Sequence, residues 1–487
     1  MADKIRIKSV KVVNLFECLT YNIDFENQSN VSILIAPNGC GKTTIFNFIN
    51  FLLNPQAETL LPIIHIPFES FTCCLSNGTE VVLTKDKEQG KGIIPHRHVL
   101  VNDEADEAEM QDIKEKAVSS FWRWDFRITI NGDKSESKNK HFNFLAASKE
   151  CEKKPGWLRA HAEDIEDSLG AIAFFTEYGN FEGNEQSLSY LYAMCIYVCE
   201  RYQNFLKEHN CLTPVSFISA NRLHPLNSLA KVSPRFLRYR YGFFAMPSEK
   251  DQYDVLLKAC KDASRLIKTA LEEYNKLLTD AKNKLPSMYL NSSDNTEALE
   301  DFIKRWTKYH SELDKYHAIG LLPKADIVIK AEDLETAFNK KRQFLIEYLN
   351  AFEGTLEPLE KIYVKIKLFS DIFKKRNEVT LKTVSFSPNG IDILVNGEKL
   401  DIHYLSSGEK NDFVMFFQLI FMAVENGIVL IDEPEISLHI EWQKEYLERL
   451  IHICQMNSIQ AIIATHSPTI VNGHLGLYAR WGGKYGL

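Results

Sequence analysis

Apolar residues along this 487-residue chain follow three rhythms. Short unbroken runs, Val31-Ser32-Ile33-Leu34-Ile35, Ile428-Val429-Leu430-Ile431 and Ala461-Ile462-Ile463-Ala464-Thr465, have the length and β-branched content of buried strands. An alternating stretch sets Trp122, Trp124 and Phe126 between Arg123, Asp125 and Arg127, just before Ile128-Thr129-Ile130. Period two makes it a half-buried strand rather than a stacking platform for bases. From about residue 247 to 378 the spacing turns to three and four. Leu256, Leu257, Cys260, Ala263, Leu266, Ile267, Ala270 and Leu271 predict a helix over 251–285 that Pro286 is expected to stop. A second helix is expected over 296–316, and a longer antiparallel return over 332–376, broken near Gly354 and Pro358. At 1.5 Å per residue a helix of ~35 residues reaches only ~50 Å, a short arm. Residues 379–400 return to strand, with tight turns at Pro388-Asn389-Gly390 and Asn396-Gly397. A long apolar helix is expected over 413–424. The pattern predicts an α/β chain split by a helical insertion, without internal repeats.

Chemistry enters where the strands end. Directly after the first run comes Ala36-Pro37-Asn38-Gly39-Cys40-Gly41-Lys42-Thr43-Thr44, and then a helix opening. Strand, glycine-rich turn and helix N-terminus form the order a phosphate-binding loop needs. Gly39 and Gly41 let the backbone curl so that its N–H groups face phosphate oxygens. Lys42 reaches the β- and γ-phosphates, and the Thr43 hydroxyl can ligate Mg²⁺. Asn38, Cys40 and Thr44 complete the candidate nucleotide-binding set. Ala36 stands where G-x-x-x-x-G-K-T has its first glycine, so it must keep a negative φ. The run ending in Ile431 leads into Asp432-Glu433-Pro434. The first acid is placed to hold Mg²⁺, and the second to orient or deprotonate an attacking water. The expected ligands are therefore ATP and Mg²⁺, with Thr43 and Asp432 on the metal.

Two further segments complete a resemblance. Leu405-Ser406-Ser407-Gly408-Glu409 resembles the ABC signature, Asp432-Glu433 resembles Walker B with its catalytic glutamate, and His466 in Thr465-His466-Ser467-Pro468 resembles the switch histidine. About 360 residues separate Thr44 from Leu405, more than a typical domain holds. That split resembles the RecF/SMC group, whose two ATPase halves flank a helical insertion. The run Asp432-Glu433-Pro434-Glu435-Ile436-Ser437-Leu438-His439 resembles the version found in overcoming-lysogenization-defect nucleases and anti-phage ATPases. So does the strand Val215-Ser216-Phe217-Ile218 running on to Asn221-Arg222, and so do the two N-terminal strands between Lys4 and Phe25. The resemblance implies an ABC-type P-loop ATPase fold. It divides the chain into an N-terminal half over 1–222, with a charged insertion near 85–155, a helical arm over 223–378, and a C-terminal half over 379–487. It also implies head-to-tail homodimers or higher homo-oligomers, in which Ser406, Ser407, Gly408 and Glu409 complete the partner's ATP site. Arg222, ending an apolar strand, is expected near nucleotide or the base of the arm.

Composition narrows the setting. With 45% hydrophobic and 25% charged residues the chain can bury a large core. No stretch approaches the ~20 apolar residues of a membrane helix, and the N-terminus lacks a signal-peptide core. Ten irregularly spaced cysteines suit a reducing, cytoplasmic compartment, and Cys195 and Cys199, one turn apart among apolar residues, read as core. A net charge of −8 argues against general DNA coating. Local basic clusters (Arg235 to Tyr241, Lys340-Lys341-Arg342, Lys374-Lys375-Arg376) read as solvated faces, so direct DNA or RNA binding is weakly supported. The stretch 85–155, acidic over 102–116 and lysine-rich over 133–154, reads as a solvated lobe.

The chain ends about twenty residues past His466 and shows no H-N-H, D-x-D or zinc-nuclease constellation. The expectation is an ATP-driven switch that senses and controls a separately encoded effector nuclease in anti-phage defence, of HNH type in the similar Septu and retron-associated systems; stand-alone ATPases of the PARIS system are also similar. Two alternatives stay open: a RecF-like repair ATPase acting on DNA, and an ATP-binding scaffold with negligible turnover.

Overall fold

The computed structural model describes residues 4–25, 29–37, 39–64, 66–85, 125–132, 137–143, 185–220, 249–290, 297–323, 331–436 and 438–483. Asn38, Trp122, Trp124, Arg222, the basic cluster 235–241 and most of 85–155 lie outside the described residues. The chain forms two compact units, Met1–Ser248 with Met422–Leu487, and Glu249–Phe421.

The first unit begins with β1 (Ile7–Leu15), β2 (Leu19–Asp24) and β3 (Val31–Ile35). Helices α1 (Lys42–Leu53) and α2 (Ala57–Ile64) precede the antiparallel strands β4 (Ser70–Leu75), β5 (Glu80–Lys85), β6 (Asp125–Asn131) and β7 (Ser137–Asn143). Helix α3 (Glu185–Glu208) and β8 (Val215–Ile218) close this stretch. β4 and β5 alternate buried and half-buried residues, as a sheet with one covered face requires. β6 begins at Asp125, so the alternating stretch does form a strand there, with Phe126, Ile128 and Ile130 inside. Cys195 and Cys199 on α3 are buried in the apolar core, as their spacing predicts.

The second unit holds α4 (Glu249–Leu290), α5 (Leu299–Ala318), α6 (Ala331–Glu353) and α7 (Glu357–Arg376), then the meander β9 (Lys382–Ser387), β10 (Gly390–Val395) and β11 (Glu398–Leu400), and α8 (Ser407–Phe417). Pro286 does not stop α4, which runs one turn further to Leu290. Proline loses its own N–H bond and its ring crowds the carbonyl four residues back, but only the last turn of α4 lies beyond it. At 42 residues α4 spans ~63 Å. The apolar segment after Phe413 turns from α- to π-helix over Gln418–Met422. The unit extends to Phe421 rather than ending at 378 because the Phe369 ring of α7 packs edge-to-face against Phe386, Phe413, Phe417 and Phe421, at centroid distances of 5.2–6.3 Å. Arg376 adds an ion pair with Asp412.

The chain then returns to the first unit with β12 (Ile428–Asp432), α9 (Ile440–Met456), β13 (Gln460–Thr465), α10 (Pro468–Val471) and β14 (Arg480–Gly483). β3, β13, β12 and β8 lie side by side in that order, all parallel, while β14, β2, β1, β4, β5, β6 and β7 form an antiparallel sheet. Every residue of β12 and β13 is buried, which is why their sequences are unbroken apolar runs between polar ends. Gln460, buried at the start of β13, accepts from Ile7 N at 2.8 Å and donates to Ile7 O at 2.9 Å, tying the two sheets together. Among the described residues no helix is long and apolar enough to cross a membrane.

Candidate functional site

Three of the four parallel strands deliver candidate residues at their C-terminal ends, where open α/β sheets place their ligand sites. β3 leads into the loop from Ala36 to Gly41, β12 ends on Asp432, and β13 is followed by His466. The register, Ile431 beside Ile463 and Ala464 beside Leu34, brings these ends level. Residues nearly 400 positions apart in sequence therefore meet.

The loop has the backbone expected of it. Gly39 and Gly41 sit at φ 83° and 78°, in the left-handed region that favours glycine. A Cβ on Gly41 would lie 3.1 Å from the buried Leu15 Cδ2 and 3.2 Å from Phe16 Cε2, whereas one on Gly39 would meet nothing within 4 Å. Ala36 adopts no positive φ, so the missing first glycine costs the loop no strain. Gly41 caps α1 without a side-chain bond, and the first turn of α1 carries no acid. Its N–H groups and the helix dipole are thus uncompensated on this side, a setting that favours an anion. Cys40 and Thr44 are half-buried in this turn.

Lys42, 7% exposed, donates from Nζ to Ala36 O at 2.9 Å, Pro37 O at 3.2 Å and His466 Nε2 at 2.5 Å. Burial lowers its pKa, opposed by the charges of Asp432, Cys40, Glu433 and Glu435. Thr43 Oγ1 donates to Asp432 Oδ2 at 2.6 Å. The other carboxylate oxygen, Asp432 Oδ1, is buried and has no hydrogen-bond partner among the described residues. Burial also raises the Asp432 pKa, with Glu433 and Glu435 adding to the rise and Thr43 and Lys42 opposing it. A buried carboxylate with one idle oxygen beside a threonine hydroxyl is a donor set short of a cation.

Glu433 follows at φ 43°, a conformation that costs a non-glycine residue about 1–3 kcal/mol and collects at functional sites. Its N–H donates to Ala464 O at 2.8 Å, and its Oε1 lies 3.9 Å from His466 Nε2. Lys42, Thr43, Asp432, Glu433 and His466 thus form one cluster. Sequence reading assigned no role to Glu435, yet it binds this cluster's backbone: its carboxylate accepts from Thr465 Oγ1 and from His466 N, both at 2.8 Å. The signal was present, since a third acid follows Asp432-Glu433-Pro434.

The signature-like segment belongs to the second unit. Ser406 caps α8 by accepting from Glu409 N at 3.3 Å, while Glu409 Oε2 accepts from Ser406 N at 2.7 Å, a reciprocal capping box. Lys382 Nζ holds the same carboxylate at 2.7 and 2.9 Å. Burial would raise the Glu409 pKa, but Lys382 and the Ser406 hydrogen bonds outweigh it, and the net shift is downward. Ser406 and Ser407 are exposed and Gly408 half-buried. The anion site expected here is therefore partly used by the chain's own Glu409, which engages both the backbone N–H and the side chain of Ser406.

Residues 226–471, just over half of the chain, match the model of the AAA ATPase domain family. The chain belongs to that family. The matched span carries the signature-like segment, Asp432-Glu433 and His466, and begins beyond the glycine-rich loop. A protein of Vibrio cholerae serotype O1 biovar El Tor, described as the Retron Vc95 probable ATPase, is 24% identical over 196 residues. That alignment covers 37% of this chain and 38% of the relative, so the chain spans well under half of the relative's length. A crystal structure of the SmcHead bound to the C-winged helix domain of ScpA is 11% identical, with a TM-score of 0.30, over 95% of this chain and 90% of that one.

Proposed function

We propose that the chain hydrolyses ATP at the strand-end cluster and uses the cycle to control a separately encoded effector nuclease in anti-phage defence. The observation that carries the ATPase reading is the convergence of the Lys42-Thr43 turn, Asp432-Glu433 and His466 on neighbouring parallel strands. In this reading the N–H groups of Gly39, Cys40 and Gly41 cradle the phosphates, and Asn38 and Thr44 belong to the same nucleotide-binding set. Lys42 exchanges its carbonyl partners for β- and γ-phosphate oxygens. Thr43 Oγ1 and the idle Asp432 Oδ1 suit Mg²⁺, which is commonly held by one or two carboxylates plus substrate phosphates. Among the described residues no larger cluster of His, Cys, Asp and Glu competes as a metal site. Bound there, Mg²⁺ neutralises phosphate charge. Glu433, whose Oε1 lies 3.9 Å from His466 Nε2, takes the proton of the attacking water, and His466 contacts the γ-phosphate.

Ser406, Ser407, Gly408 and Glu409 act in trans in this reading, so that ATP joins two copies head to tail. Hydrolysis releases that grip, a nucleotide-gated switch. The retron-associated relative supports a defence setting, and the effector is then a partner polypeptide. The test is complementation by mixing. Ser406→Arg and Lys42→Ala proteins should each be inactive alone, yet a heterodimer keeps one intact site and regains part of the turnover. No regained activity at any ratio, with protomer exchange verified, contradicts the composite site. Co-purification of a nuclease from cells carrying the native gene neighbourhood tests the effector claim; ATP-independent DNA cleavage by this chain alone would overturn it.

A further inference from the structure

Glu435 stands three residues past Asp432, beyond Pro434, and faces two donors of one short segment. Thr465 is fully buried, so its hydroxyl needs partners. One lone pair accepts from Ser467 N at 3.0 Å, and its single proton goes to Glu435 Oε2 at 2.8 Å. His466 N donates to Glu435 Oε1, also at 2.8 Å. Both oxygens of one carboxylate thus accept, one from a side chain and one from the backbone of the next residue. Only a carboxylate accepts with both ends; a glutamine must present its NH₂ to one of the donors. The far side of the segment is held separately. Ser467 Oγ donates to Gln443 Oε1 at 2.6 Å, and Ser467 caps α10 by accepting from Ile470 N at 3.4 Å.

The segment pinned in this way carries the His466 ring, whose Nε2 meets Lys42 Nζ at 2.5 Å and lies 3.9 Å from Glu433 Oε1. Glu435 belongs to the same turn as Glu433, since Ile436 N donates to Glu433 O at 3.2 Å and Leu438 N to Glu435 O at 2.9 Å. One turn therefore supplies a carboxylate to the reacting region and, two residues on, a second carboxylate that fixes the histidine segment opposite it. We propose that Glu435 is a positioning residue for ATP hydrolysis: by clamping Thr465 and His466 it fixes the His466 ring relative to Glu433 and Lys42. This rests on the reading of the site as one that hydrolyses ATP. A displacement of about 1 Å at such a ring can cost on the order of 10²-fold in rate while leaving ground-state binding alone.

The experiment uses the full-length chain with Glu435→Gln and Thr465→Val, singly and together. It measures ATP affinity by equilibrium binding, turnover by phosphate release, and amide exchange of the segment around His466 by mass spectrometry. Expected for each single variant is an ATP affinity within about threefold of wild type and a kcat lower by roughly 30- to 100-fold. Faster exchange at His466 should accompany it, and the double variant should be little worse than Thr465→Val alone, because both variants break the Glu435–Thr465 contact while Thr465→Val also takes the acceptor from Ser467 N. A kcat for Glu435→Gln near the wild-type value, or a loss of ATP affinity as large as the loss of kcat, overturns the positioning role. If Glu435→Gln does not fold, Thr465→Val addresses the same contact from the other side and is judged by the same criteria. Should the wild-type chain show no turnover, the hydrolysis reading fails. The clamp is then judged by exchange: wild-type protection at His466 that Glu435→Gln leaves unchanged refutes it.

Discussion

The two glycines of the phosphate-binding turn share a backbone conformation but not surroundings, and alanine at each should separate the two contributions. At both positions a side chain must adopt a left-handed φ, near 80°, which costs about 1–2 kcal/mol. Nothing further opposes Gly39→Ala, since its Cβ meets no atom within 4 Å. Gly41→Ala must also fit a methyl 3.1 Å from Leu15 Cδ2 and 3.2 Å from Phe16 Cε2. Phe16 is partly exposed and can yield, but Leu15 is fully buried in the core. Overpacking of that kind adds about 1–3 kcal/mol. The expected losses are therefore about 1–2 kcal/mol for Gly39→Ala and about 2–5 kcal/mol for Gly41→Ala. At roughly 2 °C per kcal/mol for a large unit, Gly41→Ala should melt at least several degrees below wild type and clearly below Gly39→Ala. Thermal unfolding without nucleotide, followed by far-UV circular dichroism, measures this. Equal shifts, or a larger one for Gly39→Ala, would refute the assignment of Leu15 as the wall behind the loop.

Other consequences can be checked in the same preparations. Burial holds the Asp432 pKa above its ordinary 3.8, so this group's contribution to stability is fully present below that value and is lost as pH rises through the raised native pKa. Without metal, Asp432→Asn should thus gain in melting temperature relative to wild type between about pH 4 and about pH 7; a constant or falling difference would show that the carboxylate is not strained. Lys382→Ala should leave Glu409 without its ion pair and loosen the start of α8, lowering turnover while ATP affinity stays near wild type; unchanged turnover would mean the pair is only structural. Phe369→Ala should destabilise the second unit by about 3–5 kcal/mol, because that ring joins α7 to the meander and α8; a loss under 1 kcal/mol by urea unfolding would contradict the account of that core.

Much of this was legible in the sequence, for identifiable reasons. The parallel strands announced themselves because they are buried on both faces, which leaves no polar position to interrupt Ile428-Val429-Leu430-Ile431 or Ala461-Ile462-Ile463-Ala464. The arm was legible from three-four spacing, and Gly354 and Pro358 marked the break between α6 and α7. What was not legible depends on tertiary context. Pro286 reads as a stop, but α4 continues past it for one last turn, to Leu290. The second unit reaches past residue 378 to Phe421 because of ring packing around Phe369, and no local pattern encodes which face of α7 a distant phenylalanine will meet. The positive φ of Glu433 and the idle oxygen of Asp432 are likewise products of the assembled strand ends. Glu435 was visible as a letter, but the two donors it accepts from lie thirty residues away and become its neighbours only through the β12–β13 pairing.

The measurement that bears most directly on the account is single-turnover hydrolysis of ATP by purified wild-type, Glu433→Gln and Lys42→Ala proteins, with ATP binding measured in parallel. With Glu433 as the group that deprotonates the attacking water, Glu433→Gln should bind ATP as wild type does and hydrolyse it about 10²–10⁴-fold more slowly. Lys42→Ala should instead bind ATP poorly, since it loses the cation that reaches the phosphates. Wild-type turnover by Glu433→Gln would contradict the central claim that this strand-end cluster is the hydrolytic site.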